Sequence, residues 1–404
     1  MSHIRAPDRL RSPERTGFSG WTDHNEVMSA RGMELELATR GSHLARQQAN
    51  RVTQLLAERR ITAKLVEVET TGDQLRDELI HRLGTTGAFV RSLDERVLSG
   101  NLDGSIHSMK DMPTEQPDEL VVAAVPERGT PGDVLVTPNG TPLADLPEAA
   151  TVGTASLRRG AQLLADRPDL DIAGLRGNVD TRVEKLLAPA RQREHERRLA
   201  AAGELDEEGT DGSDETDVET DGEFDRSPQE WFEELSEVER RALGRDVDTE
   251  YDAICLAAAG LERSGLLDGL PVERLDPRSF VPAPAQGAIA VTALEGETAQ
   301  RIHSAIDHPP SRVEVTVERA VLAELGGGCV APVGVHARLQ GAVVTTTARI
   351  LSRDGTEEVC ETRELPVERH AGAATEFAAD LAAEGAAELV ERARREDPDD
   401  AKRA

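Results

Sequence analysis

Residues 106–113, IHSMKDMP, end an apolar strand-like run and then present His107, Ser108, Lys110 and Asp111 together, stopped by Pro113. Lysine is rare, at four of the 47 bases, so Lys110 stands out. Asp111 beside it reads as a simple ion pair, worth little at a surface, or as the one carboxylate in a cationic cleft. In such a cleft its neighbours keep it ionised, and it could stabilise a cation formed during a reaction. His107 reads as a hydrogen-bonded structural residue.

Arginines supply the other half. Arg40 follows a strand-like run, Arg158 and Arg159 sit in VGTASLRR, Arg176 and Arg182 in LRGNVDTR, and Arg263 closes AAAGLER. All six fall at strand ends or in the adjoining first helical turns, where an α/β fold gathers its ligand groups. Guanidinium forks match carboxylates bidentately, and helix N-termini add donors. These features call for a small substrate carrying several carboxylates or phosphates. Thr154 and Ser156 read as helix caps that could equally hold an anion, and Gly177 and Asn178 serve a tight turn. In GGGCVAPVG (326–334), three glycines leave Cys329 on an open loop as the candidate for covalent attachment. Cys255 and Cys360, inside apolar or strand-like runs, read as packing residues. No cysteine or histidine spacing suits a metal.

The elements that position these groups alternate from residue 33 to about 187, which predicts mostly parallel sheets. Ser42 caps a helix with Leu44, Ala45, Ala49, Val52, Leu55 and Leu56 on one face, and Phe89, Leu93 and Val97 mark another that ends at Gly100. Residues 188 to about 249 break the pattern. Between Glu204 and Asp225 stand twelve acids and no base, too polar to order by burial. Ser227-Pro228 then starts a helix bearing Trp231, Phe232, Leu235 and Val238. After the α/β pattern of 251–293 come a helix over about 313–325, three strand-like runs, and an alanine-rich helix over about 371–394. Strands grouped between helices predict a separate small α+β domain. Residues 1–32 show no sustained period and read as a disordered extension.

Seventy-six acids against 47 bases give 404 residues a net charge of −29. That balance argues against nucleic-acid binding, which requires cations on phosphates. No apolar run is long enough to span a membrane as a helix, and the first 32 residues lack an apolar signal core, so the expected compartment is the cytoplasm. Acid excess with few aromatics and almost no lysine suits a salt-rich cytosol, where at about 1 M salt the Debye length is about 3 Å.

The motifs LATRGSHLARQQA, GAFVRSL, HSMKDMP, VGTASLRR, LRGNVDTR, YDAICLAAAGLERSG, PAQGA and GGGCVAPVG occur in the order seen in porphobilinogen deaminases (hydroxymethylbilane synthases), and the chain resembles that family in a haloarchaeal form. The resemblance implies an α/β fold with two periplasmic-binding-protein-like lobes around a cleft, plus a small α+β C-terminal domain. Lobe 1 would take 33–126 and about 285–305, lobe 2 would take 127–284 with the acidic insertion at about 188–249, and the C-terminal domain 306–404. The implied enzyme is a transferase of tetrapyrrole (haem, sirohaem, cobalamin) biosynthesis. It joins four porphobilinogen molecules head to tail, with loss of ammonia, into hydroxymethylbilane. Growth starts on a dipyrromethane cofactor, thioether-linked to the cysteine matching Cys329.

By the same resemblance Asp111 is the catalytic carboxylate, assisting ammonia loss and stabilising an azafulvenium cation. Arg40, Ser42, Lys110, Thr154, Ser156, Arg158, Arg159, Arg176, Arg182 and Arg263 would bind carboxylates of cofactor and growing chain. Arg82 and Phe89 would lie in a loop near the site. No metal, nucleic acid or membrane is implied; the substrate is porphobilinogen and the enzyme a monomer. The chain departs from the pattern at Arg82 and Thr86, where bacterial relatives often carry lysine, at His43, where many carry proline, and in the insertion, which has no counterpart. An anion-binding protein with the same two-lobed cleft is the alternative, and it would need neither Asp111 nor Cys329.

Overall fold

The computed structural model describes residues 33–68, 88–203, 224–326, 328 and 331–395. The extension at 1–32, Arg82, Thr86, Cys329 and most of the acidic run lie outside them. The chain lays down β1 (Met33–Thr39), β2 (Ile61–Glu67), β3 (Gly104–Ser108) and β4 (Leu120–Ala124). It crosses over to form β5 (Asp133–Val136), β6 (Thr151–Thr154), β7 (Asp171–Gly174), β8 (Ala253–Ala257) and β9 (Val272–Arg274), then returns as β10 (Ile289–Leu294). Two five-stranded sheets result, ordered β2-β1-β3-β10-β4 and β7-β6-β8-β5-β9. In each, the strand that arrives from the other half runs antiparallel to both its neighbours. The remaining contacts are parallel. The two orders are the same with β5 and β10 exchanged, which is the two-lobed α/β architecture that the sequence implies.

Alternation explains the strands. Leu35 and Leu37 of β1 are buried, whereas Glu36 on the other face pairs with Lys64 of β2 at 2.8 Å. Helices α1 (His43–Glu58), α2 (Ala88–Leu98), α3 (Leu157–Asp166) and α4 (Val179–Ala202) follow strand ends. Ser42 caps α1 by accepting from the Ala45 N–H, and Ala49, Val52 and Leu56 bury one face of it. The two crossovers touch where the Gly129 N–H donates to Gly287 O at 3.1 Å. A Cβ on Gly287 (φ +85°) would sit 2.6 Å from Gly129 O, so only glycine permits this approach.

Four short or medium helices come next: α5 (Pro228–Glu234), α6 (Glu237–Leu243), α7 (Ala258–Ser264) and α8 (Glu297–Ile306). The helix expected from Ser227 is in fact the pair α5 and α6. Ser236 forms a second capping box with Glu239 and restarts the chain direction. Trp231, Leu235 and Val238 are buried, but Phe232 is 41% exposed. This pair docks on α4: Arg191 reaches Glu239 at 2.7 Å, and the His195 and Trp231 rings stack at 5.8 Å.

The remaining chain builds α9 (Pro309–Glu324), an antiparallel sheet of β11 (Val333–Gln340), β12 (Val343–Leu351) and β13 (Glu358–Pro366), then α10 (His370–Leu381) and α11 (Ala387–Arg395). Val317, Val321, Val335, Ile350 and Phe377 form its own core. α9 starts four residues before the expected 313, because Pro309 suits a first helical turn and His308 caps it. The expected helix over 371–394 bends through Ala382–Ala386, where Gly385 has φ +108°. Cys255 is buried as expected. Cys360 is exposed, because alternation along β13 gives the inward face to Val359 and Leu365.

Candidate active site

At the carboxyl end of β3, residues Met109–Asp111 make a single 3₁₀ turn. Met109 and Met112 are buried anchors, which leaves Lys110 half-buried and Asp111 exposed between them. Behind the turn, one oxygen of Asp94 in α2 gathers His107 Nε2 at 2.9 Å, the Ser105 hydroxyl at 2.7 Å and the Thr292 hydroxyl at 3.2 Å. All four residues are buried. His107 therefore ties α2 to β3 and is the structural residue that the sequence suggests.

In the second lobe, β6 runs into α3. Ser156 is the N-cap, accepting weakly from the Arg159 N–H at 3.5 Å, and the Thr154 hydroxyl accepts from the Ser156 N–H at 3.2 Å. The first turn of α3 carries Arg158 and Arg159, both buried. Two cations at a helix N-terminus oppose the helix dipole, and burial adds a desolvation cost. Asp133, at the start of β5, offsets both terms. Its two oxygens take Arg158 Nη2 at 2.7 Å and Arg159 Nε at 2.9 Å. Gln286 donates to the same carboxylate at 2.9 Å and accepts from Arg159 Nη2 at 3.1 Å. Burial pushes the Asp133 carboxyl upward, but Arg158 and Arg159 outweigh it and hold the group below its usual range. Arg158 Nη1 donates to Val281 O at 2.7 Å, while its Nε is buried without a partner among the described residues.

After β7, Gly177 adopts φ +110°, where a Cβ would lie 2.5 Å from the Thr181 methyl. The turn starts α4 at Asn178 and brings Arg182 back, its Nε donating to Gly177 O at 2.8 Å. Among the described residues Arg182 has no acid partner. Burial, then the charge of Arg159, pulls its pKa down to about 10. Lys110 is lowered too, first by burial and also by Arg159 and Arg182, against the opposing pull of Asp111 and Asp133. Two cations thus stand close to others without a fixed acid to neutralise them fully, as an anion site requires.

A cavity of about 380 Å³, at the lower end for small-molecule sites, collects these groups. Lys110, Asp111, Ser156, Arg158, Arg159 and Arg182 line it as the sequence leads one to expect. Gly328 and Ala331, on either side of residues 329 and 330, line it as well. So do Glu115, Gln286 and Arg394, which the sequence did not single out. Arg40, Ser42, Thr154, Arg176 and Arg263 are not among its lining residues. Ser42 is spent on the α1 cap, and Arg263 donates to Gly287 O at 2.5 Å at the crossover, where burial lowers its pKa. Phe89 stands in the first turn of α2. His43 Nδ1 lies 3.7 Å from Asp180 of α4, a contact between the lobes. Asp133 had one available signal: adjacent arginines at a helix N-terminus demand a counter-ion. Gln286 lies within the PAQGA motif, and nothing in the sequence marks Arg394.

Two family models match the chain. The model described as "Porphobilinogen deaminase, dipyromethane cofactor binding domain" covers residues 35–205 and 237–301, and "Porphobilinogen deaminase, C-terminal domain" covers 312–390. The unmatched stretch, 206–236, is narrower than the expected insertion at 188–249, because α4 and α6 belong to the common pattern. A "Probable porphobilinogen deaminase" of Halobacterium salinarum is 51% identical over 90% of this chain and 99% of its own length. One from Methanococcoides burtonii is 34% identical, covering 88% and 96%. The "Porphobilinogen deaminase" of Sulfurimonas denitrificans is 32% identical, covering 89% and 97%. Among solved structures, the methionine-binding protein MetQ aligns at 8% identity and a TM-score of 0.32, covering 67% of this chain and 89% of that one. The lobed fold is assigned from strand order and not from that likeness.

Proposed function

The chain belongs to the porphobilinogen deaminase family, and from that premise we propose how its cavity divides the work. The enzyme is the hydroxymethylbilane-forming transferase of tetrapyrrole biosynthesis, acting on porphobilinogen with a dipyrromethane cofactor. The residues suit such a group. Among the described residues Lys110 and Arg182 lack full neutralisation and Arg158 keeps a buried N–H unpartnered, and the cavity is flanked by Gly328 and Ala331. Cys329 would carry it in thioether linkage. Lys110, Ser156, Arg158, Arg159 and Arg182 would hold its carboxylates and those of the chain being built. Arg40, Ser42, Thr154, Arg176 and Arg263 would bind carboxylates of the chain as it extends beyond the cavity, and Arg82 and Phe89, the latter in the first turn of α2, would lie near the site. When bound, the cofactor supplies the pyrrole end on which the chain is extended.

Asp111 is the catalytic residue. As the aminomethyl C–N bond of porphobilinogen breaks and ammonia departs, positive charge develops on the substrate pyrrole, and a nearby carboxylate lowers that cost. The same oxygen takes up the proton that the pyrrole carbon releases after coupling. The supporting observation is single: Asp111 stands exposed at a cavity whose other lining charges, apart from Glu115, are cations. We assign lobe 1 to 33–126 with about 285–305, lobe 2 to 127–284 and the C-terminal domain to 306–404, with the crossovers as the joints. A cytoplasmic monomer without nucleic-acid contacts completes the proposal. A net charge of −29 disfavours nucleic acid, and among the described residues no helix is long and apolar enough to cross a membrane. Intact mass and peptide mapping test the covalent assignment. A two-pyrrole adduct on the Cys329 peptide is expected, and unmodified Cys329 in active protein would remove it.

A further inference from the structure

Arg319 lies on α9 directly after Glu318 and is half-buried. Its guanidinium donates to three main-chain carbonyls: Nη1 to Met112 O at 3.1 Å and Met109 O at 3.4 Å, and Nη2 to Pro113 O at 2.6 Å. Those carbonyls bracket Lys110 and Asp111. Among the described residues Arg319 has no carboxylate partner, and burial pulls its pKa down. Withdrawing a cation from water without a counter-ion is costly, and the rigid planar fork of an arginine, with five donors, is well suited to hold three carbonyls at once.

The neighbouring residue holds the joint between the lobes. The Glu318 carboxylate, fully buried, takes both Arg128 Nη atoms at 2.8 and 2.9 Å and the Ala285 N–H at 2.6 Å. Adjacent residues of one helix therefore grip the crossovers and the Asp111 turn. The same helix ends at Glu324, five residues before Cys329 in the sequence.

We propose that Arg319 is a positioning residue: it fixes the Met109–Pro113 turn, and with it the Asp111 carboxylate, against the helix that precedes Cys329 in the sequence. The inference rests on the catalytic reading of Asp111. A misplacement of about 1 Å at a reacting group costs about 10²-fold in rate, whereas the Arg128–Glu318 fork keeps the domain docked without Arg319.

The test uses the full-length holoenzyme. Arg319→Met should lower kcat by about 10- to 100-fold with little change in KM, leave the Cys329 adduct mass and the melting temperature near those of the parent, and speed amide exchange across residues 109–114. A double-mutant cycle with Asp111→Glu separates positioning from general structure. In the Asp111→Glu background Arg319→Met should cost less than about 3-fold, because both act through one group. Additive losses, an unchanged kcat, or unchanged exchange in the turn overturn the proposal. Should Arg319→Met lack the adduct or fail to fold, Arg319→Lys is read by the same cycle, with an intermediate loss expected and additivity again decisive against it. Near-normal turnover of Asp111→Glu with an Arg319→Met loss intact would instead sink the catalytic reading of Asp111.

Discussion

Lobe 1 closes β3 with a short turn and places Lys110 and Asp111 at the cavity, whereas lobe 2 runs β6 and β7 into helices whose first turns carry Arg158, Arg159 and Arg182. The two sheets share one strand order, and the ends of β3 on one side and of β6 and β7 on the other differ in what leaves the strand, a turn or a helix. A helix N-terminus already offers donors and partial positive charge to an anion. A 3₁₀ turn has no comparable dipole, and a carboxylate there is not drawn into capping. Lobe 2 thus presents its cations at helix starts, whereas the lobe 1 turn presents Lys110 together with an exposed carboxylate. Lobe 2 is itself divided: Arg158 and Arg159 share Asp133, while Arg182 donates to a carbonyl and, among the described residues, has no acid partner.

Asp133→Asn attacks the paired half and carries the largest expected effect. Breaking a buried ion pair from one side costs about 3–5 kcal/mol, to be read from denaturant unfolding at neutral pH. Equal stability would deny that Asp133 neutralises the two arginines. The sign with pH is set by its lowered folded pKa: the contribution is complete above the unfolded value of about 3.9 and fades as pH falls through the lower folded value. Parent and variant should therefore converge only in acid, below about pH 4.

Arg182→Ala attacks the unpaired half. Losing a charge-assisted bond worth about 1.5–3 kcal/mol should raise KM for porphobilinogen roughly 10- to 100-fold with kcat changed far less. A fall in kcat at constant KM would move Arg182 from binding to chemistry. The smallest effect belongs to the whole surface. With a net charge of −29, the melting temperature should climb by several degrees from dilute buffer to molar KCl as self-repulsion is screened, while the short contacts of the cavity persist. A flat or falling melt would contradict that.

Much of this contrast was legible from the residues. Arg158, Arg159 and Arg182 follow apolar strand runs, and Ser156 precedes a helix, so local pattern alone put them at one edge of a sheet. Asp133 was not legible as their partner. It is one acid among 76, and its pairing depends on β5 entering lobe 2 antiparallel beside β8, which no local period encodes. Arg394 lines the cavity from α11, beyond the bend at Gly385, a tertiary placement that a continuous alanine-rich pattern conceals. Cys360 was misplaced for a simpler reason: a strand has two faces, and hydrophobicity alone did not say which one its cysteine takes.

The division between lobes is tested most directly by Asp111→Asn, which keeps the shape and removes the charge. Porphobilinogen turnover should fall by about 10²-fold or more, with KM, the melting temperature and the Cys329 adduct close to those of the parent. Turnover within a few-fold of the parent, or a loss that appears only as KM, would place the chemistry elsewhere than on the lobe 1 turn.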